Sequence, residues 1–178
     1  MKKIVLKKKA LFLLAAIMQL GAFATSAWAY DGSVVVPSGQ TIYYNYISSS
    51  QSIEITCPNT DVNNPWGSYT NPSGDLVIPD SITHNGINYP VTSIGPNAFL
   101  GSIDLTSVTI SNNVTSIGDR AFWNCHGMTS VSIGSGVTTI GYEAFHLCRG
   151  LTSVDIPDAV TSMGTYAHEG RGNTIMQY

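Results

Sequence analysis

The sequence predicts an α/β solenoid, in which parallel β-strands and short helical turns stack in successive coils behind a β-rich N-terminal cap. Two observations lead to this prediction. From Val91 onward the 178-residue chain divides without a gap into 23-residue repeats, and periods of about 20–50 residues are typical of solenoids. Within each repeat, β-branched residues alternate with polar ones, which is the pattern of a strand with one buried face.

The first segment of the chain has the features of a secretory signal peptide. Met1–Lys9 is basic, Ala10–Phe23 is apolar, and Ala27–Ala29 supplies the A-x-A pattern of a cleavage site. An uncleaved membrane anchor is the alternative, but it needs about 20 predominantly apolar residues, and Gln19 interrupts the run. Residues 1–29 are therefore predicted to be a signal peptide, and the protein to be secreted or placed at the cell surface.

Removal of this segment changes the charge of the protein. Five of the eight basic residues lie among the first nine positions, so residues 30–178 keep three arginines, no lysine and eleven carboxylates. Their formal net charge is −8, whereas the whole chain carries −3. A nucleic-acid partner requires clustered Lys and Arg to displace phosphate counterions, and a polybasic membrane-surface role requires the same. Composition excludes both functions, and no later segment is long and apolar enough to span a membrane.

Residues 30–74 are predicted to form the N-terminal cap. Thr41–Ile47 and Ser52–Cys57 alternate in hydrophobicity on either side of a polar turn, so they predict a β-hairpin. Asp61–Pro72 has the composition of a loop. A second hairpin is predicted around Asn85-Gly86, since both residues of such a two-residue turn need positive φ. These strands would cover the apolar edge of the first coil.

The repeat region extends over residues 75–164. Its full repeats, named coils 1, 2 and 3, are residues 91–113, 114–136 and 137–159, and a partial fourth coil occupies 160–164. Positions 1–23 of a coil are named columns. The same residue types recur in the columns: Val in column 1, Ile in column 4, Gly in column 5, Ala-Phe in columns 8 and 9, and Ile in column 20. Each coil would bury its apolar face against its neighbours.

The columns predict two elements in each coil. Columns 18 and 20 hold β-branched residues separated by one other residue, for example Val108 and Ile110, which indicates a short strand. Stacked coils would join these strands into a parallel sheet. The A-F-x-x-C stretch, for example Ala121–Cys125, is rich in non-branched residues and predicts a helical turn on the opposite side.

The combined pattern L-x-x-V-x-I-x-x-x-V-x-x-I-G-x-x-A-F-x-x-C closely resembles the leucine-rich repeats of BspA-like bacterial surface proteins. Their repeat has the same length and carries I-P-x-x-V, which is intact here in Ile78–Ile82 and Ile156–Val160. The resemblance implies a leucine-rich repeat fold. It also implies an interaction or adhesion function, in which the chain binds proteins of a host or of neighbouring cells.

The end of the chain departs from the repeat. His168 stands where column 9 requires phenylalanine, and no Leu-x-x-Val-x-Ile pattern follows it. Residues 165–178 are therefore predicted to be an irregular tail. Since a terminal coil without a polar cap leaves an apolar edge and unpaired strand groups open, we expect the chain to be a shortened or frameshifted version of a longer protein.

Motifs of catalysis and cofactor binding are missing from the sequence. It contains no G-x-S-x-G, H-E-x-x-H, phosphate loop or dinucleotide fingerprint, so neither an enzyme nor a cofactor is predicted. Cys125-His126 and His146-x-Cys148 offer zinc-ligand types, but their spacing matches no zinc pattern, and no metal site is predicted. Column 12 faces inward, and parallel ladder side chains keep their Cβ atoms about 4.8 Å apart. Cys125 and Cys148 are therefore predicted to be buried, reduced thiols rather than a disulfide.

The candidate interaction surface lies where the repeats vary. Strand positions that face solvent carry mostly serine and threonine, whereas columns 6, 7 and 10–14 differ between coils. Exposed Trp, Tyr and Arg are residue types that interfaces favour. The residues assigned to this surface are Trp123, His126, Tyr142, His146 and Arg149. The plainer alternative is that Trp123 and Tyr142 only pack against the turns.

A second function remains open from the sequence. Aromatic residues concentrate in the cap and could stack on sugar rings: Tyr43, Tyr44, Tyr46, Trp66 and Tyr69. The same residues could instead form the core of the cap. The sequence therefore predicts an exported module that binds protein ligands through its solenoid surface, with a carbohydrate-contacting cap as the alternative.

Overall fold

The computed structural model describes residues 30–59, 61, 63, 65–167 and 175–177. The predicted signal peptide, residues 1–29, lies outside the described residues. The described part contains strands and turns but no helix. Its strands, in chain order, are β1 (Gly32–Val35), β2 (Thr41–Ile47), β3 (Ser52–Thr56), β4 (Gly74–Val77), β5 (Ser81–His84), β6 (Ile87–Ile94), β7 (Leu105–Thr109), β8 (Ser116–Ile117), β9 (Ser130–Ser132), β10 (Thr139–Ile140), β11 (Ser153–Asp155), β12 (Ser162–Met163) and β13 (Ile175–Gln177).

Each coil contributes strands to two sheets. Sheet A runs in the order β1-β2-β3-β6-β8-β10-β12, and columns 3 and 4 of successive coils form its parallel part. Sheet B contains β4-β7-β9 and, separately, the pair β11-β13, all in parallel, with columns 15–19 as its strands. The predicted parallel sheet is sheet B and is confirmed. Sequence reasoning missed sheet A, because only two residues of most coils form it and no alternation marks them.

Both predicted hairpins are present at the N-terminal end. β2 pairs with β3 in an antiparallel ladder, and β5 pairs with β6 through a turn in which Asn85 has a φ of 51° and Gly86 of 82°. β3 then pairs in parallel with β6, so sheet A continues from the N-terminal strands into the coils. Trp66, which is 3% exposed, stacks on Phe99 at a centroid distance of 6.4 Å. The boundary of the cap at residue 74 stays a prediction.

The solenoid core is built from repeated columns. Phe99, Phe122 and Phe145 stack with centroid distances of 5.1 and 5.3 Å and interplanar angles of 13° and 1°. All three are at most 2% exposed. One ring per coil produces this stack because neighbouring strands of a sheet lie about 4.8 Å apart, which holds equivalent side chains at a fixed offset. The aromatic column thus ties adjacent coils together along the axis.

The segment between the two sheets is not a helix, so the predicted helical turn is not confirmed. Residues in columns 7 and 11 have a left-handed backbone conformation, for example Asn97 and Asn124, each with a φ of 59°. A right-handed helix excludes that conformation. Several N–H groups of columns 8, 10 and 12 bond to the carbonyl three residues earlier. Those of columns 7, 9 and 11 bond to the next coil, as Phe99 N does to Ala121 O at 2.7 Å. Bonds between coils therefore replace those of a helix.

The end of the chain differs from its prediction as an irregular tail. Ile175–Gln177 forms β13, which pairs in parallel with β11. Ser153 lies opposite Ile175, an offset of 22 residues, whereas Ser107 lies opposite Ser130, an offset of 23. The fourth coil is therefore one residue shorter than the others at this strand, and the shift hid the strand from a search for the 23-residue period.

Candidate functional site

The outer surfaces of the coils beside both sheets are uniform. Column-2 threonines donate their hydroxyls to the same column of the preceding coil, as Thr115 Oγ1 does to Thr92 O and Thr138 Oγ1 to Thr115 O, both at 3.1 Å. On sheet B, columns 17 and 19 of coils 1–3 carry serine or threonine, apart from Asp155. Such a repeated hydroxyl surface offers a partner few distinguishing groups.

One carboxylate on sheet B is held by these hydroxyls. Asp75 Oδ1 accepts hydrogen bonds from Ser107 Oγ at 2.6 Å and from Thr106 Oγ1 at 2.8 Å. The bonds stabilise the ionised form and lower the pKa of Asp75 below its usual value. Asp75 therefore links coil 1 to the strand that precedes it more strongly when its carboxyl group is ionised than when it is protonated.

This arrangement predicts a pH effect on stability. A carboxylate with a depressed folded pKa stabilises the fold above its unfolded pKa of about 4, and that contribution disappears as the pH falls through the folded pKa. We expect the thermal midpoint to fall between about pH 6 and about pH 3 by less in Asp75→Asn than in the native protein. Thermal unfolding at each pH measures the difference, and Asp104→Asn is the control on the same side of the solenoid. An unchanged pH profile in Asp75→Asn would contradict the prediction.

On the turn side, residues of neighbouring coils form a polar and aromatic cluster. Arg120 Nε donates to Glu143 Oε2 at 2.7 Å. The Arg120 guanidinium also lies 5.4 Å from the centroid of the Tyr142 ring, within the range of a cation–π interaction. The Arg120 side chain is 49% exposed and that of Glu143 is 15% exposed. The cluster thus joins columns 6 and 7 of coil 3 to column 7 of coil 2.

Tyr166 of the fourth coil extends this cluster. Its ring centroid lies 6.3 Å from that of Tyr142 and 6.5 Å from that of His146. Tyr142 is 37% exposed and Tyr166 48%, so two aromatic rings are open to solvent beside a cation. The Nδ1 atom of His146 is buried and has no hydrogen-bond partner among the described residues. We name the set of Arg120, Tyr142, Glu143, His146 and Tyr166 the turn patch.

The charged groups of the turn patch stabilise one another. Burial acts to raise the pKa of Glu143, but hydrogen bonds from Arg120 and Tyr142 outweigh it and lower that pKa overall. The hydrogen bond to Glu143 raises the pKa of Arg120 and also that of Tyr142. At neutral pH the patch therefore keeps its ion pair, and Tyr142 stays a neutral hydrogen-bond donor.

The structure brings together only part of the predicted surface. Tyr142 and His146 belong to the turn patch. Trp123 is half-buried in column 10, while His126 and Arg149 are exposed in column 13, which is nearer to sheet B. None of the ion pairs and ring contacts found among the described residues involves these three side chains. Their part in an interface stays a prediction.

Sequence reasoning missed three members of the turn patch. Arg120 and Glu143 stand in column 7, which varies visibly between coils, but their pairing depends on how the coils are spaced. Tyr166 occupies the same column of the fourth coil, inside the segment predicted to be an irregular tail. The signal that could have found all three is a charged or aromatic residue in column 7 of successive coils.

The family of the chain is decided by its repeats. The family model described as BspA type Leucine rich repeat region (6 copies) matches residues 77–175, which is more than half of the chain. The chain belongs to this family. The match confirms the BspA-type resemblance of the repeats and reaches the first residue of β13.

Solved structures of similar proteins share the leucine-rich repeat fold. A leucine-rich repeat protein from Bacteroides capillosus is 24% identical, with a TM-score of 0.63, over 83% of this chain and 100% of that one. A leucine-rich repeat protein from Bacteroides ovatus is 25% identical, with a TM-score of 0.57, over 76% of this chain and 37% of that one. A leucine rich cell surface protein from Faecalibacterium prausnitzii is 26% identical, with a TM-score of 0.52, over 82% of this chain and 43% of that one. The match thus spans less than half the length of the last two proteins. No curated protein matches this chain significantly.

In this BspA-type chain, the inward cysteines are hydrogen-bond donors of the core. Cys125 Sγ donates to Phe99 O at 3.2 Å, and Cys148 Sγ donates to Phe122 O at 3.1 Å. Both thiols are free and buried, which confirms the predicted burial of column 12, whereas their reduced state in solution stays a prediction. The neighbouring Cys148 thiol, together with burial, raises the pKa of Cys125 well above its usual value, and a thiol of that kind is unreactive. His126 is exposed, so it does not share a site with these thiols.

Aromatic residues of the BspA-type chain's N-terminal segment divide into two groups. Tyr43 packs edge-to-face against Trp66 at 5.9 Å and Tyr69 at 5.4 Å, with interplanar angles of 66° and 71°. Tyr46 stacks on His84 at 5.2 Å in the second group. Because the rings of the first group are steeply inclined to one another, they do not form a flat platform for sugars. Packing within the N-terminal strands accounts better for both groups.

Proposed function

We propose that this BspA-type chain is an exported, non-enzymatic interaction protein that binds protein ligands through its turn side. The observation that carries the proposal is the turn patch, where Tyr142 and Tyr166 are exposed beside the Arg120 guanidinium. Tyrosine and arginine are among the residues that contribute most to the energy of protein interfaces. The outer faces of the sheets offer mainly hydroxyl groups in the same coils.

Fixed geometry of the turn patch supports this function. The ion pair with Glu143 restricts the Arg120 side chain, so less side-chain entropy is lost when a partner binds. Trp123, His126 and Arg149 extend the proposed surface across columns 10 and 13. A partner that spans coils 2 and 3 would meet the patch first and these side chains at its periphery.

Export places the partner outside the cell in this proposal. Residues 1–29 carry the pattern of a signal peptide, and the similar structure from Faecalibacterium prausnitzii is described as a leucine rich cell surface protein. Among the described residues, no helix has the length and apolarity to cross a membrane. We infer a secreted or cell-surface location and an adhesion function toward a host or a neighbouring cell.

Truncation of the turn patch tests the proposal. Tyr142→Ala is expected to weaken protein binding by about tenfold or more, because truncation of a tyrosine at an interface hot spot costs about 2 kcal/mol or more and about 1.4 kcal/mol corresponds to tenfold. The purified chain and the variant are compared by surface plasmon resonance on a panel of extracellular matrix proteins. Thr109→Ala, on the exposed face of sheet B, is the matched control. If Tyr142→Ala and Arg120→Ala both bind a captured protein as tightly as the native chain, the turn patch is not the interface.

A carbohydrate-contacting N-terminal segment is the second candidate function. One observation favours it, since Tyr69 is 38% exposed beside Tyr43. A glycan array separates the two functions. Glycan binding that is lost in Tyr69→Ala and retained in Tyr142→Ala would assign the function to the N-terminal aromatic residues.

A further inference from the structure

Sheet B is interrupted between coils 2 and 3. β4, β7 and β9 pair in succession and β11 pairs with β13, but no ladder joins β9 to β11. Sheet A is continuous across the same coils, because β8, β10 and β12 all pair in parallel. The turn side is also continuous, since Phe122 N donates to Ala144 O at 2.8 Å. Backbone hydrogen bonds thus join coils 2 and 3 in sheet A and on the turn side, but no ladder joins them in sheet B. We name the gap between β9 and β11 the seam.

Side-chain burial marks the same interruption. In column 18, Val108 and Val154 are each 1% exposed, whereas Val131 of coil 2 is only half-buried. In column 20, Ile110 is 2% exposed, whereas Ile133 is again half-buried. Both exceptions lie in β9 or directly after it. Two apolar side chains that should belong to the core are therefore partly open to solvent at the seam.

An unpaired strand edge is a template for another strand, because its N–H and C=O groups can bond to any extended chain laid beside them. An added strand lies about 4.8 Å from each neighbour, so one strand between β9 and β11 needs a gap of about 9.6 Å. Parts of β9 and β11 have Cα atoms within 8 Å of each other. Where the Cα atoms lie within 8 Å, entry of a strand therefore widens the seam by at least about 1.6 Å, with sheet A on the other side as the hinge.

We propose that the seam is a docking site for an extended peptide segment of a partner protein, bound by strand addition to β9 and β11. Inward-facing residues of this segment are aliphatic, such as Leu, Val and Ile, since they complete the apolar columns between coils 2 and 3. Outward-facing residues are Lys or Arg, because two carboxylates are exposed at the seam, Asp155 on β11 and Asp158 just beyond it. Residues 30–178 contain no lysine that could pair with these carboxylates. The seam is separate from the turn patch, so this inference goes beyond the proposed function.

Amide hydrogen exchange of the purified full chain tests the seam, without and with a probe peptide. The probe is the capped hexapeptide LTKVKI, which keeps the inward residues of Leu105–Ile110 and replaces its outward Ser107 and Thr109 by lysine. In the free protein, the seam-facing amides of β9 and β11 are expected to exchange about tenfold or more faster than those of β7. A saturating concentration of the probe is expected to slow them to the rates of β7.

Matched probes separate strand addition from other binding. LTKPKI loses a backbone donor and cannot continue a ladder, so it is expected to leave the exchange unchanged. LTEVEI is expected to bind about tenfold more weakly than LTKVKI, because its charges repel Asp155. Asp155→Lys is expected to reverse that preference, and Tyr142→Ala to change none of these results, which separates the seam from the turn patch.

Three results would overturn the inference. The first is that the seam amides of the free protein exchange as slowly as those of β7, since the strands would then already be paired. The second is that LTKVKI leaves the seam amides unprotected at saturation. The third is that LTKPKI protects them as well as LTKVKI does, since binding would then not require a ladder.

Discussion

Phe122→Ala is expected to lower the free energy of unfolding by about 3–5 kcal/mol, the range observed when a fully buried aromatic side chain is removed. Phe122 is 0% exposed and lies between two parallel rings, 5.1 Å from that of Phe99 and 5.3 Å from that of Phe145. The coil spacing fixes both neighbours, so they cannot move into the cavity that is left. Denaturant unfolding of the purified chain measures the change.

Two controls bracket the effect of this substitution. Phe122→Leu retains most of the side-chain volume and is expected to cost about 1–2 kcal/mol. Ser130→Ala, on the outer face of sheet B, is expected to change stability by about 0.5 kcal/mol at most. If Phe122→Ala costs no more than Phe122→Leu, the coils close over the cavity and the aromatic column does not hold them apart.

The second large effect is expected at Gly141, in column 5 of coil 3. An added Cβ at this position would lie 2.6 Å from Asp119 N and 2.6 Å from Gly118 C of the preceding coil. Asp119 Oδ1 lies nearer still, at 2.5 Å, and that side chain can turn away. The two backbone atoms cannot, so the coils themselves must separate. Gly141→Ala is expected to cost about 3 kcal/mol or more, measured as the loss of unfolding free energy in denaturant.

Gly39→Ala is the matched control for this substitution. Gly39 has a φ of 86°, and nothing lies within 4 Å of an added Cβ. Alanine there carries only the backbone cost of a left-handed conformation, about 1–2 kcal/mol. Equal losses in the two variants would show that close contact between coils is not the reason for glycine in column 5.

Repetition made the inward half of this protein predictable. A residue type that recurs in one column faces the same way in every coil, so the positions of Phe122, Cys125 and Ile140 in the core follow from the 23-residue period. The turn at Asn85-Gly86 was predictable for a different reason, since turn chemistry depends on adjacent residues only. In both cases the residues that determine the local structure can be read directly from the sequence, either as a repeated column or as an adjacent pair.

The turn patch has no such pattern. Arg120 and Glu143 meet because column 7 of one coil lies beside column 7 of the next, and the period does not say how far apart or in which direction. Their left-handed φ values of 54° and 53° are equally unmarked, because bonds between coils rather than residue preference hold that conformation. The strand Ile175–Gln177 was not predicted, because its offset of 22 residues from β11 places it outside the 23-residue period.

The hydrogen bonds of columns 7, 9 and 11 all have their N–H in the earlier coil and their carbonyl in the later one. Peptide dipoles that point the same way add, whereas those across a sheet largely cancel. The turn side is therefore electrically polar along the solenoid axis, with its negative end at coil 1 and its positive end at the fourth coil, beside Tyr166. A carboxylate on a partner is favoured at that later end by the backbone alone, whatever side chains the coils present.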